Sequence, residues 1–179
     1  MAAPHNDRLR QVVLTIVPAC KGQTPIAGAA AYTGSQHPMV VIDIRAGGKI
    51  EHDQGDMTSH STMLGSLPET VGEVQLVACI GERNTVVLDV CSYTMGGTYT
   101  RHAYKRPVSI YNAQSGQLLD QKIFEGSTPS DCPTEKDVND SGNYGGDVGW
   151  DDNRIWGYLQ TWVNGTGQPG GSTDITPSP

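Results

Sequence analysis

EVQLVACI (73–80), GERN (81–84) and TVVLDVCSY (85–93) read in order as strand, turn and strand. Val, Leu, Ile and Cys fill both flanks, and β-branched apolar residues suit a pleated, packed surface. The polar link between them holds Gly81 and Asn84, residues that tolerate a tight reversal. This reading predicts a β-hairpin. With Gly81 facing Asn84, Cys79 lies opposite Val86, and Cys91 stands five residues further along. At about 3.4 Å per residue that separation is too long for a disulfide. Cys79 and Cys91 are therefore each expected to pair with Cys20 or Cys132.

The pattern continues outward. After Gly96-Gly97 comes TYTRHAYKRPVSIYNA (98–113), and after QSGQ comes LLDQKIFEG (118–126). Together these predict an antiparallel meander of four strands. Pro107 has no N–H to give a ladder, so its strand is expected to be bulged or to lie at an edge there. QVVLTIV (11–17) and MVVIDI (39–44) read as two further strands, the second buried on both faces because its apolar run is nearly continuous. DDNRIWGYLQTWV (151–163) reads as a helix, with Asp151 or Asp152 as cap. Ile155, Leu159 and Trp162, with Trp156 and Val163 beside them, make its apolar face.

The expected architecture is all-β or mainly β: an antiparallel sandwich or partly open barrel with one C-terminal helix. Residues 1–10 read as a tail, 11–163 as a single disulfide-stabilised domain, and the Gly/Ser/Pro-rich 164–179 as a linker or disordered tail. Core candidates are Val13, Ile16, Val41, Ile44, Val74, Leu76, Val86, Leu88, Val90, Ile110, Phe124, Trp156 and Leu159.

Composition narrows the function classes. The 179 residues carry a formal net charge of −7, and 36% are hydrophobic. Residues 131–152 hold seven acids and one base, a local balance of −6, so the rest is nearly neutral. Such a chain has no general attraction for nucleic acid or anionic membrane. No stretch approaches the roughly 20 apolar residues of a membrane span, so no membrane insertion is expected. Four well-separated cysteines without a C-x-x-C pair argue against a zinc ribbon and for two disulfides in an oxidising compartment. The expected location is extracytoplasmic: secreted, periplasmic or at a cell surface.

The acidic segment holds the main candidate for a metal. Asp137, Asn139, Ser141 and Gly142 follow the alternating spacing of a calcium loop, in which side-chain oxygens point inward and Gly permits the sharp turn. Val148 stands where the bidentate Glu of such loops belongs, leaving Asp147, Asp151 or Asp152 to substitute. A solvated acidic loop of turn formers explains the same composition, so no cofactor is required, and calcium is the alternative. His52, Asp56 and His60 have helical spacing in a segment poor in helix formers, and read as polar loop.

Tyr99, Arg101, Tyr104 and Lys105 mix cations and aromatics on one strand, a candidate contact surface for a small anion, glycan or nucleic acid, though a charged solvent face explains the same residues; the expected partner of the module is a protein or glycan. Asn139-Asp140-Ser141 and Asn164-Gly165-Thr166 are glycosylation acceptors in a eukaryotic secretory pathway. There is no G-x-S-x-G and no H-E-x-x-H, and the G-x-G-x-x-G text at 165–170 lacks a preceding strand.

Taken together, Cys20, the His37–Asp43 strand, Glu73–Cys79, Asp89–Tyr93, the Tyr111–Leu118 hairpin and Phe124–Pro133 resemble uncharacterised extracytoplasmic β-rich domains of bacterial membrane-anchored or secreted proteins. The resemblance spans residues 18–133 and implies a tethered β-rich domain without implying an activity. The leading expectation for function is a non-catalytic binding or interaction module. One alternative is a structural subunit of a surface assembly, self-associating by pairing the strand at 11–17 with a neighbour's sheet. Another is a hydrolase using the acidic loop at 135–152.

Overall fold

The structure, a computed structural model, describes residues 11–12, 14–22, 24–45, 49–50, 68–93, 98–132, 134, 142–149 and 152–167. The expectations for Val13, for His52, Asp56 and His60, and for most of both tails lie outside the described residues. The described strands are β1 (Met39–Arg45), β2 (Lys49–Ile50), β3 (Leu76–Ile80), β4 (Asn84–Ser92), β5 (Thr98–Asn112), β6 (Leu118–Glu125) and β7 (Gly142–Tyr144). The helices are α1 (Ala19–Gly22) and α2 (Asn153–Val163). The protein is mainly β with a C-terminal helix, as expected, and its sheet is open rather than closed into a barrel. The sheet is mixed: β1 runs parallel to β3, and β7 parallel to β5.

The long strand β5 is the spine. Lys105 pairs with Asn84 of β4 and with Glu125 of β6. Val108 pairs with Ile80 of β3 and with Lys122 of β6. Since β6 occupies one edge of β5 at both places, β3 and β4 share the other edge. Both run antiparallel to β5, so they continue in line with each other. This corrects the hairpin expected at 73–93: the GER link does not reverse the chain but bulges it.

Pro107 supplies the reason. Three residues, Gly81, Glu82 and Arg83, stand opposite Arg106 and Pro107. Pro107 cannot donate, and its carbonyl accepts from Gly81 N at 2.7 Å. A Cβ on residue 81 would stand 2.7 Å from Pro107 Cγ, so only Gly fits this approach. The β4–β5 and β5–β6 hairpins form as expected. Cys20 bonds to Cys79 and Cys91 to Cys132, the kind of pairing expected, although the hairpin argument that led to it does not apply.

Side chains of β1 and β3 alternate between two cores, which is why both strands are apolar throughout. Met39, Leu76, Ala78 and Ile80 pack with Val108, Ile110, Phe124 and the Ile155, Trp156, Leu159, Trp162 and Val163 face of α2. Asp152 caps that helix by accepting from Arg154 N at 2.8 Å. Val40, Ile42, Val77 and Cys79 pack on the opposite face with Val12, Ile16, Ala19 and Ile26.

Residues 11–12 and 14–16 are helical, which corrects the strand expected at 11–17. Val12, Ile16 and Ala19 recur at helical spacing and are buried together, so packing against the sheet overrides their weak β preference. A helical segment buried in this way offers no strand to a neighbouring sheet.

Candidate functional site

β4 differs from β3, with which it lies in line, in what covers it. β3 is buried at all five positions. β4 is exposed at eight of nine, Cys91 being the exception. Val86, Val87, Leu88 and Val90 expose 36%, 54%, 46% and 48% of their surface. This corrects the expectation that Val86, Leu88 and Val90 are core: the α2 layer and the N-terminal helical layer both pack on β1 and β3, and β4 projects beyond them. Four of the seven exposed large apolar side chains among the described residues are on this one strand, so they form a patch rather than isolated surface residues.

The two faces of β4 differ. Thr85 and Val87 pair with Tyr104 and His102, and beyond them Val90 pairs with Thr100. On the reverse, Val86 pairs with Ala103, Asp89 with Arg101 and Cys91 with Tyr99. The register shifts between Val87 and Asp89, which places a bulge at Leu88. A bulge twists an edge and breaks the even row of main-chain groups that another strand would need.

Charge is concentrated where β4 begins. The Arg106 guanidinium is buried, ion-paired with Asp43 of β1, and its Nε donates to Gly81 O at 3.0 Å. Arg83, from the bulge, ion-pairs with Asp147 and lies 4.5 Å over the Tyr104 ring. Asp147 also accepts from Val148 N at 2.7 Å. Thus Asp147 serves the sheet end, while its proposed co-ligands Asp137, Asn139 and Ser141 lie outside the described residues. Among the described residues no three His, Cys, Asp or Glu side chains converge to hold a metal.

The four residues expected to form a contact surface are engaged within the chain. Tyr99 is buried. Arg101 donates to Ser130 O at 3.0 Å and to Pro129 O at 3.1 Å. Lys105 pairs with Glu125, and Tyr104 lies under Arg83 on the opposite face. They do not form one open surface.

On the α2 side, Tyr158 OH donates to Asp120 at 2.7 Å. Burial, and then the bond to that carboxylate, push the phenol well above its ordinary range. Arg154 hydrogen-bonds Asp152 and holds its carboxyl below the usual value.

Sequence reasoning overlooked the Asp43–Arg106 pair. The available signal was an Asp within MVVIDI, since a carboxylate in a strand buried on both faces needs a cationic partner. No family model, no curated protein and no solved structure matches this chain.

Proposed function

We propose that the protein is a non-catalytic interaction module of an oxidising, extracytoplasmic compartment, and that β4 is its contact region. One observation carries this reading: a strand in line with the fully buried β3 leaves Val86, Val87, Leu88 and Val90 exposed on both faces. Keeping such side chains in water forgoes the burial that stabilises β3, at roughly 25 cal/mol per Å². A protein partner that covered them would recover that term. The bulge at Leu88 favours docking on the side chains over extension of the sheet by a partner's strand. That argues against the filament alternative. Cysteine use supports the compartment: all four cysteines pair, across sequence separations of 59 and 41 residues. Among the described residues no helix is long and apolar enough to cross a membrane.

A photo-crosslinking amino acid at Val87 tests the contact region in cells that make the protein. It is expected to give a discrete protein adduct that disappears when Leu88→Lys and Val90→Lys are added. The same group at Lys122, on β6, is expected to give none. Equal adducts from both positions, or none from Val87, would sink the reading.

A further inference from the structure

The segment from Ser127 to Cys132 is a strap. It leaves the end of β6, where Gly126 N donates to Tyr104 O at 2.8 Å, on the edge of β5 opposite β4. It ends at Cys132, bonded to Cys91 of β4 on the other edge. Between these points it crosses the β5 face that carries Tyr99 and Arg101. Arg101 holds it midway, donating to the carbonyls of Pro129 and Ser130 and to Asp131 Oδ1 at 3.3 Å. At its start Ser127 Oγ accepts from Gly146 N at 2.7 Å. The strap's one cross-link is therefore at its far end, and hydrogen bonds and the buried Pro129 hold it elsewhere.

The two disulfides sit in unlike places. Cys79 is buried in β3, flanked by β1 and β5, and Cys20 packs against the same core. Cys20 is half-buried there, so this bond offers less access than one with a fully exposed cysteine. Cys132 is exposed, and Cys91, itself buried, belongs to a strand that no helical layer covers among the described residues. Attack on a disulfide depends on access to one sulfur.

We propose that Cys91–Cys132 is a reducible latch, opened by a dithiol reductant while Cys20–Cys79 stays closed, and that opening it releases the strap from the sheet. One thiolate of the reductant attacks Cys132 Sγ and forms a mixed disulfide. The bonding electron pair leaves on Cys91 Sγ, which takes a proton from water. The second thiol of the reductant then displaces Cys132 as thiolate, which is protonated in turn. The reductant becomes a disulfide, and two electrons have passed to the protein. Release uncovers Tyr99, which shares its β5 face with Ala103, the partner of exposed Val86.

Dithiothreitol titration of the native protein, with iodoacetamide blocking of freed thiols and peptide mass spectrometry, tests the order of opening. Cys91 and Cys132 are expected to be labelled about tenfold faster than Cys20 and Cys79. Nitration of Tyr99 by tetranitromethane, applied to the blocked intermediate, reads the strap. It is expected to rise at least about tenfold over the oxidised protein, with near-ultraviolet circular dichroism retained. Labelling of Cys20 and Cys79 first, or of all four together, overturns the latch. So does an intermediate in which Tyr99 remains protected. Cys91→Ser/Cys132→Ser gives a second reading: folded with Tyr99 accessible supports the latch, and unfolded shows a structural staple instead.

Discussion

β3 and β4 lie end to end along the same edge of β5, are both apolar, and have opposite fates. β3 has a strand on each edge and a packed layer on each face, and every residue in it is buried. Among the described residues β4 has one strand neighbour, β5, and no helical layer over either face. The same residue types thus act as core in one half and as surface in the other. Burial follows from what lies above and below a strand, and only secondarily from its own hydrophobicity.

The joint between the halves offers the largest test. Arg106→Ala leaves the largely buried Asp43 carboxylate without its cation at the point where β3 ends, and is expected to cost about 3–5 kcal/mol in denaturant unfolding. A loss below 1 kcal/mol, or about that of an exposed pair, would mean the joint is open to water. A matched pair of truncations then measures the contrast itself. Leu76→Ala in β3 is expected to cost about 2–5 kcal/mol, because a cavity is left in a closed core. Leu88→Ala in β4 is expected to cost less than about 1 kcal/mol. Equal losses would break the comparison.

The smallest effect concerns pH. Tyr158 fastens α2 to β6 on the covered side, and its folded phenol titrates above the unfolded value of about 10. A raised pKa means that the folded protein holds the proton more tightly, so its contribution is full below pH 10. That contribution is lost as pH rises beyond 10. Tyr158→Phe is expected to flatten the alkaline fall in melting temperature, and an unchanged slope would assign the fall to other groups.

Much of the fold was legible. A nearly continuous apolar run marked β1, the turn residues at Gly96-Gly97 and QSGQ marked β5 and β6, and capping with i, i+4, i+7 spacing marked α2. Two readings of secondary structure failed for identifiable reasons. Residues 11–17 are β-branched enough to look extended, yet Val12, Ile16 and Ala19 also fit a helix, and the sheet face they pack on chose between the two. GERN looks like a reversal, and nothing local shows that Pro107, more than twenty residues later, will stand opposite it. The contact surface proposed at Tyr99, Arg101, Tyr104 and Lys105 was chosen by residue type. Type does not reveal that the strap, Arg83 and Glu125 already occupy those side chains. For β4 the sequence pointed the wrong way, because TVVLDV reads as core.

By itself the sequence determined the β-rich class, the cysteines' disulfide role, the C-terminal helix and its buried face, for these depend on local periodicity and residue chemistry. The tertiary structure alone decided that β3 and β4 form one line rather than a hairpin, and that one half is covered and the other bare. Those outcomes depend on register and on which layers reach which strand, and both are set by contacts between residues far apart in the chain.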